Sequence, residues 1–228
     1  MRHIVPTHLD LDHAGGLADF PSAIVHVFGP ELRAAKNPNW SERLRYRRAQ
    51  LSPVANWPLV ESGGEDWFGF ESVRALPGGG GDVLLIPLAG HSRGHCGVAV
   101  RTSDGWLLHY GDAYFHHAEV APAGGRTPAA LKLFESLVNV DRWRRIANQN
   151  RLRDLARTHA EEIRLICSHD PVDLAAFSQL SMRAPNRALS RQASAKLLGR
   201  ERRDRVAVLA RAMAGLRASC RRARRQGR

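Results

Sequence analysis

Cysteine is scarce in these 228 residues. Cys96, Cys167 and Cys220 are too few and too scattered for a disulfide framework or a cysteine-based zinc knuckle. Reduced thiols in a cytoplasmic protein are the expectation. No apolar run reaches the ~18 residues of a membrane-crossing helix. Met1 to Pro6 also lacks the apolar core of a signal peptide. Acidic residues nearly vanish at the far end. Residues 180–228 hold 15 Lys/Arg against Glu201 and Asp204, whereas residues 1–179 hold 19 Lys/Arg against 20 acids. The net charge of +12 is therefore carried by the tail and says nothing about the surface of the body. Aromatic residues are absent beyond Phe177, so the tail offers phosphate contacts, through Arg221-Arg222-Ala223-Arg224-Arg225, without base stacking.

Hydrophobic residues at 43% and charged residues at 25% belong to a globular chain long enough to bury a core. Residues 24–28 read as a short strand and the charged stretch 31–50 as helical. Residues 52–81 are a Trp-, Gly- and Pro-rich region ending in four consecutive glycines. Residues 82–88 form a continuous apolar run, the pattern of a buried strand. Residues 97–101 and 106–110 form a hairpin across Ser103-Asp104-Gly105. Helices follow near 128–138 and 142–161, then a last strand at 163–167. Two units result: a domain over 1–179, and an Arg-rich tail over 180–228, partly helical or disordered.

Thr7-His8-Leu9-Asp10-Leu11-Asp12-His13 puts four potential metal ligands within six residues. In an extended chain His8, Asp10 and Asp12 point one way while Leu9 and Leu11 anchor the other side. Gly15-Gly16 then permits a sharp turn. Gly90-His91, Gly111-Asp112 and Ser168-His169-Asp170 each stand just past an expected strand, where loops converge. Imidazole and carboxylate are ligands for zinc, manganese or iron.

The ordered set of His8 to His13, Gly90-His91, Gly111-Asp112 and His169 resembles the metallo-β-lactamase superfamily over about residues 3–178. That resemblance implies a four-layer αββα sandwich with two divalent metal ions, zinc first among them, in a cleft at one sheet edge. It implies one ion on His8, Asp10 and His91, another on Asp12, His13 and His169, and Asp112 bridging both. It further implies a metal-bound hydroxide that cleaves a small ester, lactone or thioester, with Asp12 as proton carrier and Tyr114 as an oxyanion donor. His95 is expected to orient the ligand His91, and His3, His26 and His159 to be structural. Asp10 stands where the family pattern has histidine, which adds a negative charge to the centre. Only seven residues precede His8, whereas the family carries several strands there, so a fold truncated at its N-terminus is expected. The alternative function is an inactive remnant whose basic tail binds nucleic acid or another polyanion.

Overall fold

A computed structural model describes residues 1–183; the Arg-rich tail read from the sequence lies almost wholly outside the described residues. The strands are β1 His3–Ile4, β2 Ile24–Val25, β3 Val27–Phe28, β4 Leu59–Val60, β5 Glu65–Trp67, β6 Phe70–Ala75, β7 Val83–Pro87, β8 Cys96–Thr102, β9 Gly105–His109 and β10 Ile163–Ile166. The helices are α1 Leu11–Ala14, α2 Gly29–Lys36, α3 Arg48–Leu51, α4 Ala129–Val138, α5 Arg142–Thr158 and α6 Pro171–Arg183.

One sheet of six strands runs β10-β9-β8-β7-β6-β5, with β10 parallel to β9 and every other pairing antiparallel. Two parallel pairs, β1–β2 and β3–β4, lie outside it. Alternation along β7 explains the layering. Ile86 faces a core shared with Leu108 of β9 and with Leu152 and Leu155 of α5. Leu85 points the opposite way, to Phe28, Val60 and Cys96. A third core joins Leu9, Val25 and Val27 to Leu32 of α2 and Tyr46. Each fully buried leucine there contributes roughly 1.5–3 kcal/mol. The layers are thus α5, the six-stranded sheet, the two strand pairs, and α2 with α3. This is an α/β fold in which two short parallel strand pairs lie beside the six-stranded sheet.

Three local expectations need correction. The charged stretch 31–50 is not one helix: α2 stops at Lys36, and a 3-10 turn at Ser41–Leu44 precedes α3. Asn37 precedes Pro38, whose ring disfavours helical backbone in the residue before it. The region 52–81 holds a hairpin, β5–β6, turned by Phe68 and Gly69 at φ 49° and 77°. Positive φ at both turn positions is the tight hairpin geometry usually signalled by Asn-Gly. An irregular register between Glu65 and Trp67 also disrupts the alternation. Finally, α6 follows the last strand where no helix was expected.

β7, β9 and β10 run in one direction, so their C-terminal ends open on the same edge of the sheet. The loop after β1 is tied to that edge by Cys96 N–H donating to Thr7 O at 2.9 Å. Four loops meet there.

Candidate metal centre

His8, at the end of the β1 loop, is fully buried and donates or accepts at Nδ1 with Thr7 Oγ1. The chain then turns into α1 rather than continuing extended. Asp10 is its N-cap, and Leu11, expected to be an anchor, is 39% exposed. The helical turn swings Asp12 and His13 to a second position instead of keeping Asp12 in line with His8. Leu9, with Ala14 at the end of α1, anchors the segment.

Two ligand sets result, sharing Asp112. In the first, His8 Nε2 lies 3.7 Å from Asp112 Oδ2 and His91 Nε2 lies 3.6 Å from the same oxygen. Asp10 Oδ2 is 3.0 Å from His91 Nε2 and 3.7 Å from His8 Nε2. In the second, His13 Nε2 is 3.2 Å from Asp112 Oδ1 and 3.6 Å from Asp12 Oδ2. His169 Nε2 is 3.3 Å from both Asp12 Oδ2 and Asp112 Oδ2, and 3.4 Å from His13 Nε2. Ligand atoms held tetrahedrally about 2.0–2.1 Å from an ion stand about 3.4 Å from one another. The groups His8–His91–Asp112 and Asp12–His13–His169–Asp112 are close to that spacing, and Asp10 adjoins the first through His91 and His8. His8 Nε2 is buried without a hydrogen-bond partner, an arrangement costly for an imidazole unless a cation completes it. The residues present fit a pair of divalent ions.

Electrostatics agree with the geometry. Burial alone would raise the Asp112 carboxyl, but His13 and His8 beside it hold it well below the usual carboxylate range. Burial lowers His8, reinforced by His13, and keeps it neutral as a ligand must be. Burial also opposes protonation of His169, yet hydrogen bonds to Asp112 and Asp12 push it up to about 10.

His95 does not orient His91. It is buried, Nδ1 lies 3.1 Å from Leu88 O, and Asp112 N–H donates to its Nε2 at 2.9 Å. A carbonyl on one nitrogen and an N–H on the other admit only the neutral Nδ1–H tautomer. Burial, with His91 nearby, pushes its pKa down to about 3. His95 thus fixes the backbone of Asp112. Gly111 has φ 57°, and a Cβ there would come within 2.7 Å of both His95 Nε2 and Thr7 Oγ1. Only glycine lets the Asp112 loop pass.

Tyr114 is not at the centre, contrary to expectation. It is buried against Tyr110, with its hydroxyl donating to Asp173 Oδ2 at 3.4 Å, because the loop after Asp112 turns that side chain towards α6. Phe115, one residue on, faces the cleft and stacks on His169 at 5.4 Å. His117 N–H and Nδ1 both contact Asp170, whose other oxygen accepts from Val172 N–H at 2.8 Å. Asp170 thereby caps the start of α6, which accounts for the His116–His117–Asp170 group without an ion. His3 pairs with His26 at 2.8 Å, and His159 with Glu162 at 3.0 Å, both away from the centre.

The sequence reading missed two charged residues. Glu31 of α2 is fully buried and accepts from Leu9 N, Tyr46 hydroxyl, Ser92 hydroxyl and Gly94 N, at 3.0, 3.1, 2.6 and 3.0 Å. It ties the His8 loop to the His91 loop. Burial raises its pKa despite those donors. Arg45 lies 3.0 Å from Asp10 Oδ2 and hydrogen-bonds Val138 O on α4. Neither partnership has a local signal, since each joins residues distant in sequence. The cleft above the centre measures about 800 Å³, and α4 contributes Leu131, Phe134, Leu137 and Val138 to its wall.

Residues 1–150 match the family model of the metallo-beta-lactamase superfamily. The chain belongs to that superfamily. Among curated relatives, it is 44% identical over 175 residues to a probable metallo-hydrolase of Mycobacterium tuberculosis, covering 75% of this chain and 55% of that protein. It is 27% identical over 183 residues to an N-acyl homoserine lactonase of Rhizobium johnstonii, covering 78% of this chain and 62% of the relative. The chain thus spans little more than half the length of the relatives it matches. Among solved structures, a probable metal-dependent hydrolase from Staphylococcus aureus superposes with a TM-score of 0.53 at 18% identity, over 75% of this chain and 55% of that one. That likeness concerns the fold of this metallo-β-lactamase superfamily member.

Proposed function

We propose that this chain is a metal-dependent hydrolase that opens an ester, lactone or thioester bond in a small molecule bearing an apolar arm. The observation that carries this reading is the pair of ligand sets sharing Asp112 on the floor of an apolar-walled cleft. His8, Asp10, His91 and Asp112 would hold one divalent ion, and Asp12, His13, His169 and Asp112 the other. Zinc suits these donors best, with manganese or iron as alternatives. When bound, the two ions supply an activated water and polarise the scissile carbonyl.

The protein's own groups do the rest. Asp12 has the most exposed carboxylate of the set, at 58%, and borders the cleft, where it can carry a proton towards a leaving group. Phe115 packs over His169 and meets Phe134 of α4 at 5.7 Å, so the aromatic wall begins directly above the second ligand set. An acyl arm lying along α4 would place the carbonyl over Asp112. The relatives named as N-acyl homoserine lactonases make lactones with such an arm the first class to test. We also assign the layers to the four-layer αββα sandwich, with β1 to β4 belonging to its second sheet.

Elemental analysis after zinc loading, with ring opening of N-acyl homoserine lactones of increasing chain length, tests this. Two zinc ions per chain, and hydrolysis that strengthens with chain length and stops with a chelator, are expected. Metal binding without hydrolysis of any lactone, ester or thioester would overturn the assignment.

A further inference from the structure

Asp10 brings a third carboxylate to the centre beside Asp12 and Asp112, and its charge is not left to the metal ions alone. Arg45 NH1 lies 3.1 Å from Asp10 Oδ1 and 3.0 Å from Oδ2, while NH2 donates to Val138 O. The Arg45 and Asp10 side chains are 11% and 16% exposed, so solvent screens this pair little. Asp10 Oδ2 faces His91 Nε2 at 3.0 Å from the same side chain. Both terminal nitrogens of Arg45 are engaged within the protein, although the residue borders the cleft. It is placed to act on Asp10 rather than on a substrate.

We propose that Arg45 is a positioning residue whose charge cancels that of Asp10, so that the pair serves the first metal ion as one neutral ligand. The proposal rests on the metal-centre reading above. It explains how an aspartate occupies that place without lowering the positive charge that makes the centre electrophilic. Arg45 also ties Asp10 to the end of α4, so one side chain fixes a ligand and the cleft wall together.

The test uses the full chain loaded with Zn2+ or Co2+. Zinc retention is measured against graded chelators, and the pH midpoint of the Co2+ absorption bands reports the centre's electrostatics without any substrate. Arg45→Met should tighten retention of one of the two zinc ions by about tenfold and raise the Co2+ midpoint by about one pH unit, because a nearby positive charge is lost. Arg45→Lys, which keeps the charge, should stay near the parent. Asp10→His alone should shift both readouts in the opposite direction, and the double variant Asp10→His, Arg45→Met should return both to parental values. Should Arg45→Met fail to fold, Arg45→Gln replaces it, as the amide can still donate a hydrogen bond. The proposal is overturned if Arg45→Met matches the parent, if Met and Lys behave alike, or if the double variant restores neither readout. A parent that retains no metal ion defeats the metal-centre reading itself.

Discussion

Asp112 is common to both ligand sets, and its two oxygens serve different partners. Asp112→Asn should therefore reduce zinc from about two ions per chain to below one, measured by elemental analysis, whereas a change at Asp12 affects a single position. Two neighbouring aromatics separate in the same way. Tyr114→Phe loses one long hydrogen bond to Asp173, so its stability should fall by no more than about 1 kcal/mol, with turnover nearly unchanged. Phe115→Ala should raise KM for long-chain substrates markedly, because it removes the ring above His169. The reverse ranking in steady-state kinetics would restore Tyr114 to the centre. Away from the candidate metal centre, burial and the adjacent Glu135 push Glu119 up to about 8. The folded state thus holds a proton that the unfolded chain releases from about pH 4.5, and stability falls as pH rises through that window. Denaturant unfolding at pH 5 and 8 should show this loss, and Glu119→Gln should make it smaller, the remainder coming from Glu31 and His169.

At the level of elements, the candidate ligands were legible because each polar group stands just past an apolar strand. The apolar run Val83–Pro87 leads to His91, and Ile163–Ile166 leads to His169. Period and punctuation carried that information. The β5–β6 hairpin was not legible, since its turn uses Phe68 in a left-handed conformation and its register is irregular. The short helix α1 was hidden as well: four residues show no helical period, and its ligands fit an extended chain equally well. Glu31 and Arg45 escaped for a different reason, as charged residues in charged segments that look solvated until the fold buries them. Glu31 carries the larger energetic consequence. Glu31→Ala leaves four buried donors without an acceptor and should cost at least about 3 kcal/mol. Thermal melting of the metal-free protein measures it; a loss below 1 kcal/mol would show that the two loops hold together without it.

For the molecule as a whole, charge and chemistry are separated along the chain. Every ligand candidate lies between His8 and His169, while the excess of arginine begins near residue 180. A chain ending at Arg183 should retain its zinc content while losing most of its attraction to polyanionic resins, read by elemental analysis and salt elution. Loss of zinc in that shortened chain would mean that the far end supports the centre.

The meeting of His13 with His169 closes a loop of 156 residues. Strand β10 reaches its parallel neighbour β9 only after the chain has travelled out through α4 and α5, so this contact carries a larger closure entropy than any within the front segment. His8, Asp10, Asp12 and His13, by contrast, are together from the moment they are synthesised. A nascent chain thus carries half of a chelator long before the other half exists. Were the proposed ions bound during synthesis, metal captured by the front segment would wait for the sheet to be completed, and the order in which ion and fold arrive would govern how much protein matures with both positions filled.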